Sequence, residues 1–330
     1  MVTEKIVIES PKRIPDTGLH GGVQMKTLMI LFAALLIHGQ VLALTIATGS
    51  AEGTYFKIAQ DIKQVAEKEG IPIEIIQTNG SFDNINLLGA GKVDLAILQL
   101  DVLRFVAEIM LKETGFNVFQ EAKVVLNLYP EEIHIIAKDE KIKTVQDLEG
   151  KKVAVGPEKS GSALTAEVLL AGFNVHIDRV FDSPEIAIKK ITSSDLDALM
   201  FVGGAPVPAF RDLDRSFHFV TIPMDSGLEQ IYPKKKIAEN VYHWAGAQET
   251  HAVPSVIMTR NRDDSDFAVT LQKLVLSILV NKENLDANGH PKWKDSYVRS
   301  TLGSVGYRPS TDVILLYNTL DSAGYRIIKK

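Results

Sequence analysis

The 330-residue chain has no cysteine. That absence excludes a disulfide framework, a thiolate metal site and a lipid carried on cysteine, so the cores alone must hold the fold together. Neither sign of charge dominates: 36 basic residues against 41 acidic ones leave a formal net charge of −5. Interspersed charges of this kind make no broad cationic field, and neither nucleic acid nor an anionic membrane surface is expected as a partner. The eight histidines lie far apart, and none stands four residues from another around a carboxylate. Zinc ligation therefore has no motif to rest on, and no metal or cofactor is expected. The signatures of phosphate and nucleophile chemistry are missing as well. "GAGKV" (Gly89 to Val93) lacks the hydroxyl after Lys92 and the preceding strand that a phosphate-binding loop needs, "GSAEG" does not complete a dinucleotide fingerprint, and no G-x-S-x-G elbow occurs.

What is present is a long, ordinary globular composition, 45% hydrophobic and 23% charged, enough to bury two cores. Residues 1–24 carry mixed charge, Pro and Gly ahead of an internal Met-Lys start, and read as an extension or mis-assigned start outside the fold. Met25 to Ala43, "MKTLMILFAALLIHGQVLA", combines one lysine, an apolar run and a small-residue end. This is the build of a secretory signal peptide, and the apolar run is about half the ~20 residues a membrane span requires. An exported, periplasmic or otherwise extracytoplasmic protein is expected.

From Leu44 the chain alternates. "LTIAT" reads as a buried strand, "GSAEG" as a loop, and Thr54 to Lys68 as a helix with Tyr55, Ile58, Ala59, Ile62, Val65 and Ala66 on one face. "IPIEIIQ" is the next strand, followed by a helix capped by Ser81 and a strand over Val93 to Leu98. The same β-α-β-α-β rhythm returns at "KKVAVGPEKSGSALTAEVLLAGF", "VHIDRVF", a helix around Glu185 to Ile191, and "SSDLDALMFVGG". Gly49 precedes Asp94 at nearly the separation by which Gly156 precedes Asp197, and two similar lobes are implied. Two β-rich pieces broken at Pro130 and one in "ETHAVPSVIMTR" read as crossings between the lobes. They assign 44–130 plus 255–330 to the first lobe and 131–254 to the second. Helices from Asp264 to Asn281 and from Thr311 to Ala323 would return to the first lobe. The expected fold is α/β with two lobes, each a mostly parallel sheet flanked by helices, joined by a two-strand hinge near Tyr129 to Ile133 and Ala252 to Ile257.

In open parallel sheets, the loops after strands face a crevice, and helix N-termini there offer unpaired N–H groups and partial positive charge. The loops at those positions hold mostly neutral hydrogen-bonding groups. The first lobe offers Gly49, Ser50, Thr54 and Tyr55, then Ser81 and Asn84, then Gln99. The second offers Ser160, Gly161, Ser162 and Gly203, with Gly204 beside it. Such a set suits holding a small polar or carboxylate-bearing molecule better than breaking a bond. For each serine and asparagine alone, capping or turn formation stays open as an alternative, as does a core role for Tyr55. His134, between isoleucines, reads as a structural histidine, Asp94 and Asp197 as caps, and the pairs Glu131–Glu132 and Asp263–Asp264 as solvated turns.

The stretches "IATGSAEGTYFKIA", "QTNGSFDNINLLGAGKVDLAILQLD" and "VAVGPEKSGSA", with "LYPEEIHIIAK", "VQDLEGKKVAVG" and "ETHAVPSVIMT", cover most of Leu44 to Arg260. In order and spacing they resemble the extracytoplasmic solute receptors of the TAXI branch of TRAP transporters. The resemblance implies a periplasmic-binding-protein fold of the second type that closes over one small solute such as glutamate, glutamine or another small carboxylate, and delivery to a TRAP-type membrane permease without catalysis; a monomer is expected. It places the ligand site at the loop residues named above. Glu52 departs from the small or neutral residue common in that loop and would repel an acidic ligand unless it points outward; Lys159 opposite could neutralise it or be merely solvated. Leu228 to Pro254 is only loosely similar, and no site residue is placed there. An enzyme on the same bilobal fold acting on a small acid, or a sensor for a signalling partner, would share the fold and the cleft.

Overall fold

The structure, a computed structural model, describes residues 41–115, 118–224 and 226–296, with the strands Ile6–Glu9 and Arg326–Lys329, which pair antiparallel with each other. The first half runs β1 (Leu44–Ala47), α1 (Thr54–Lys68), β2 (Ile73–Ile76), α2 (Ser81–Gly89), β3 (Leu95–Gln99) and α3 (Leu100–Thr114). A long strand, β4 (Ala122–Ala137), leads into the second half. There β5 (Lys152–Ala154), α4 (Gly161–Gly172), β6 (Asp178–Val180), α5 (Pro184–Thr192) and β7 (Ala198–Gly203) repeat the order, followed by the short β8 (His218–Phe219) and β9 (Lys234–Ile237). A second long strand, β10 (Gln248–Arg260), returns to α6 (Ser265–Val280) and α7 (Lys282–Asn288). The segments assigned from sequence to residues 1–24, to the signal peptide through Gln40 and to the helix at Thr311 to Ala323 lie outside the described residues, apart from the strand Ile6–Glu9.

One ten-stranded sheet carries the fold, eight strands on the path β2-β1-β3-β10-β4-β7-β5-β6 and two off it, β9 on β10 and β8 on β4. β1 pairs parallel with β2 and β3, and β5 pairs parallel with β6 and β7; β10 and β4 lie between, antiparallel to each other and to their outer neighbours. The path reads the same from either edge, two matching β-α-β-α-β units flanking two crossing strands. Alternation along the strands buries both faces, as a helix-covered sheet requires. In the first half Ile46, Leu95, Ile97 and Ile257 face one core with α1 and α6, while Ala47, Ala96, Leu98, Val256 and Met258 face the other with α2 and α3. In the second half Ile133, Ile135, Val153 and Met200 face one core and Ile136, Ala154 and Leu199 the other. All six residues expected on the buried face of α1 are buried.

Pro130 does not break a strand. β4 runs unbroken through it, and Pro130 stands opposite Pro254 of β10 in register, with a bulge following at Val256. Neither residue carries an N–H, so no backbone donor is left unpaired at that rung, and the sheet is thinnest in donors where the chain passes between halves. Asp94 and Asp197 hold their units together in the same way, one step beyond simple capping. Asp94 accepts from Thr45 N (2.8 Å), and Asp197 from Lys152 N (2.8 Å), each tying the start of one strand to the start of the next. Asp94 also accepts from Thr45 Oγ1 (2.9 Å) and Arg262 Nη1 (2.6 Å). Asp264 caps α6 through Asp266 N and Phe267 N.

Because hydrogen bonds to a charged, half-buried group contribute about 1.5–3 kcal/mol and exposed ones less, Asp94→Ala is expected to lose about 2 kcal/mol of stability in urea denaturation, and Asp197→Ala about 1 kcal/mol or less. Equal losses would contradict a special role for the Thr45–Asp94–Arg262 cluster.

Candidate functional site

A cleft with a cavity of about 180 Å³ opens between the halves. Ten of the eleven residues singled out from sequence line it: Gly49, Ser50, Thr54, Tyr55, Ser81, Gln99, Ser160, Gly161, Ser162 and Gly203. Both parallel units direct helix starts at it. The N-cap residues Gly53 of α1, Gly80 of α2, Ser160 of α4 and Ser183 of α5 all lie on the wall. Each helix start carries unpaired N–H groups and about half a positive charge. No lysine, arginine or histidine lines the cavity among the described residues; the charged liners are Glu52, Glu131 and Glu185.

The facing loops touch. At Gly80, whose φ of +121° is a backbone conformation an L side chain rarely adopts, a β-carbon would reach van der Waals contact with Ser160 across the cleft. At Gly161 any β-carbon would overlap the Gln99 carboxamide of the other half. Thr54 Oγ1 donates to Gly204 O (3.3 Å), and Asp101 Oδ2 on α3 accepts from Thr165 Oγ1 (2.7 Å) on α4 and Tyr232 OH (3.0 Å). Within each wall, hydroxyls fix the loops: Ser160 Oγ caps α4 by accepting from Ala163 N, Ser162 Oγ bridges Val202 N and O, and Ser81 Oγ accepts from Gln99 N (3.1 Å) beside Tyr55 OH (3.5 Å).

Among the described residues, three buried polar side-chain atoms have no hydrogen-bond partner: Gln99 Nε2, Tyr129 OH and Glu131 Oε1. All three residues line this cavity. An orphaned buried polar atom costs about 1–3 kcal/mol, and three in one place mark where a guest would be held. Burial lifts the Glu131 carboxyl to about 8, against the pull of hydrogen bonds from Tyr55 and Ser255 and with the nearby carboxylates of Asp101 and Glu132 adding to the rise. Burial also pushes the Tyr55 and Tyr129 phenols well above their ordinary range.

Some expectations need correcting. Glu131 and Glu132 are not a solvated turn: they lie inside β4, 3% and 2% exposed, on opposite faces of the strand. Glu132 accepts from Lys292 Nζ (2.5 Å) and Ala205 N (2.8 Å), and the Glu132 and Asp295 carboxylates outweigh the burial of Lys292 and raise its ammonium. Asn84 is absent from the cavity wall. Its amide is used inside the first half, donating to Thr48 O (2.5 Å) and Ile97 O (2.6 Å) and accepting from Thr78 Oγ1 (2.6 Å). Ser81 is the first residue of α2 rather than its cap, which is Gly80. Glu52 is an exposed residue of the wall, and Lys159 is exposed and outside it. His134 is a buried structural histidine between Glu132 O and Tyr242 OH, held to about 3 by burial. Sequence reasoning missed Tyr129 and Glu131; a pair of acidic residues inside an apolar strand pattern was the available signal. Among the described residues no group of three or more metal-ligating side chains is arranged around a common point.

Two β-α-β-α-β units about an interhalf cleft, joined by two crossing strands, define the type II periplasmic-binding-protein fold. The chain belongs to the NMT1-like family, whose sequence profile matches residues 46–300. A solved structure described as a periplasmic transporter is similar at a TM-score of 0.53 and 13% identity, covering 85% of this chain and 94% of that one. Weaker likenesses, both at TM-score 0.45, are the substrate-binding protein of an amino acid ABC transporter (14% identity, 74% and 98% covered) and the GluR0 ligand-binding core from Nostoc punctiforme in complex with L-glutamate (18%, 74% and 98%). The first of the three supports the fold.

Two outcomes follow from this geometry. A carboxyl raised on folding stabilises the protein fully below its unfolded value, and that contribution is lost as pH rises through the folded value. The melting temperature of the wild type is therefore expected to fall relative to Glu131→Gln between about pH 5 and pH 8, in parallel thermal scans; parallel curves would contradict the burial of an unpaired carboxyl. Gly161→Ala is expected to push the Gln99 carboxamide aside, seen as a new Gln99 rotamer in a crystal structure with an unchanged radius of gyration in X-ray scattering; a larger radius would show that Gln99 is held and the halves are forced apart.

Proposed function

We propose that the protein is an extracytoplasmic solute-binding receptor that captures a small carboxylate or amino-acid-like solute, glutamate- or glutamine-like in size, in the interlobe cleft. The observation that carries this reading is the convergence of four helix N-termini, two from each half, on a cavity that no cationic side chain lines among the described residues. Backbone N–H groups and helix dipoles are a ready anion site. The lobes are taken as 44–130 with 255–330 and as 131–254, hinged where Pro130 meets Pro254, and the receptor acts as a monomer. The ligand contacts assigned are Gly49, Ser50, Thr54, Tyr55, Ser81, Gln99, Ser160, Gly161, Ser162 and Gly203. The resemblance to TAXI receptors supports delivery to a TRAP-type permease; an ABC-type importer would use the same fold, and a neighbouring gene for a large fused permease separates the two.

A second reading has one observation in its favour. Glu131, buried in the cleft and shifted to about 8, is a candidate general acid or base for an enzyme acting on a small acid. Incubation with candidate acids and mass spectrometry of the medium decides it: the receptor returns every one unchanged.

A guest that binds only the folded state stabilises it by RT ln(1 + [L]/Kd), about 2.7 kcal/mol at a hundredfold excess over Kd. L-Glutamate, L-glutamine or a short dicarboxylate is expected to raise the melting temperature of protein freed of co-purified solute. No shift across amino acids and dicarboxylates would overturn the receptor reading.

A further inference from the structure

The walls of the cleft supply backbone N–H groups and hydroxyls, but its floor holds chemistry they do not use. Gln99 Nε2, Tyr129 OH and Glu131 Oε1 are each buried and unpartnered, on residues no more than 3% exposed that line one cavity. Two of these atoms donate, and buried donors of this kind are retained where a guest's acceptor meets them. The third belongs to a carboxyl that faces no cation among the described residues. Around it stand Tyr55 of α1, Asp101 of α3, Tyr129 and Glu132 of β4 and Ser255 of β10. The ammonium of Lys292, beyond Glu132, is held by Glu132 and Asp295. An ionised carboxylate buried without a counter-charge is costly, and a neutral carboxyl is the form that fits.

We infer that Glu131 meets the solute as an un-ionised carboxyl, donating a hydrogen bond to a carboxylate oxygen of the solute alongside the Gln99 amide and the Tyr129 hydroxyl. The inference rests on the receptor reading above and names what that receptor selects at its floor: an oxyanion in preference to an ammonium. Capture is then linked to one proton. The complex keeps the proton that the free protein begins to lose above about pH 8. Affinity holds below that value and falls about tenfold for each further pH unit, the slope for one linked proton. Burial places the Tyr55 and Tyr129 phenols well above their usual range and also raises the Asp101 carboxyl, which accepts from Thr165 and Tyr232; Glu132 is ion-paired with Lys292, whose ammonium is raised.

The test is isothermal titration of the full chain, freed of bound solute, from pH 6 to 9.5 with three probes: glutarate, which has two carboxylates and no ammonium, L-glutamate and L-glutamine. The expected result is that glutarate binds with steady affinity to about pH 8 and about tenfold more weakly per unit beyond it. Heats in buffers of different ionisation enthalpy are expected to show about one proton taken up at pH 9 and none at pH 7. Glu131→Gln keeps a donor and cannot ionise; it is expected to bind within about fivefold of wild type at pH 7 without the alkaline fall. Affinity that is flat or rises through pH 8, or a hundredfold loss in Glu131→Gln, overturns the inference while leaving a receptor in place. No binding of any probe at any pH overturns the receptor reading and the inference together. The wild-type pH slope and proton count stand independently of how well the variant folds.

Discussion

A right-handed parallel β-α-β unit delivers the N-terminus of its helix to the carboxyl edge of its sheet, and this geometric constraint governs the molecule. Two such units are placed edge to edge about β10 and β4, so that the starts of α1, α2, α4 and α5 meet. Partial positive charge is thereby concentrated in a cleft whose wall has no lysine or arginine among the described residues. The glycines at 80 and 161 let the loops approach until they touch across it. What the side chains add is fixing rather than force: Ser160, Ser162 and Ser81, all on the cavity wall, hold loop backbones in place.

The crossing strands do a second job. At Pro130 and Pro254 the ladder is free of donors that would be stranded by bending, yet the same few residues hold both glutamates. Glu131 turns into the cleft, while Glu132 turns outward to Lys292 and to Ala205 N of the second half. Lys235 Nζ of the second half reaches Asp295 (3.2 Å), which also accepts from Lys292. The segment after α7 thus clips the two halves on the side away from the guest. A buried pair of this kind need not add net stability, since desolvation offsets the attraction, but breaking it leaves an uncompensated charge. Its value lies in defining one relation between the halves.

Much of this architecture was legible beforehand because period-two and period-3.6 patterns survive wherever a sheet is covered by helices on both faces. The α1 face, the repeat of the two units and ten of the cleft residues were readable from strand ends alone. Pro130 misled because the fixed φ of a proline suits extended backbone, and that it stands opposite Pro254, where neither side leaves an N–H donor unpaired, is a tertiary fact. Glu131 and Glu132 misled for a related reason: a paired or protonated glutamate buries well, and neither Lys292 nor the cavity is adjacent in sequence. Asn84 was assigned to the solute because a short amide after a Gly-Ser turn looks available; the structure spends it on the carbonyls of Thr48 and Ile97.

The central claim, that four helix N-termini and an uncharged floor hold the carboxylate of a passing solute, is tested most directly by a crystal structure of the protein with a dicarboxylate or glutamate bound. The account predicts density for an intact guest between the halves, with carboxylate oxygens within hydrogen-bond distance of helix-start N–H groups from both halves and of Gln99 Nε2. A guest seated elsewhere, or one whose ammonium rather than its carboxylate meets those groups, would contradict it.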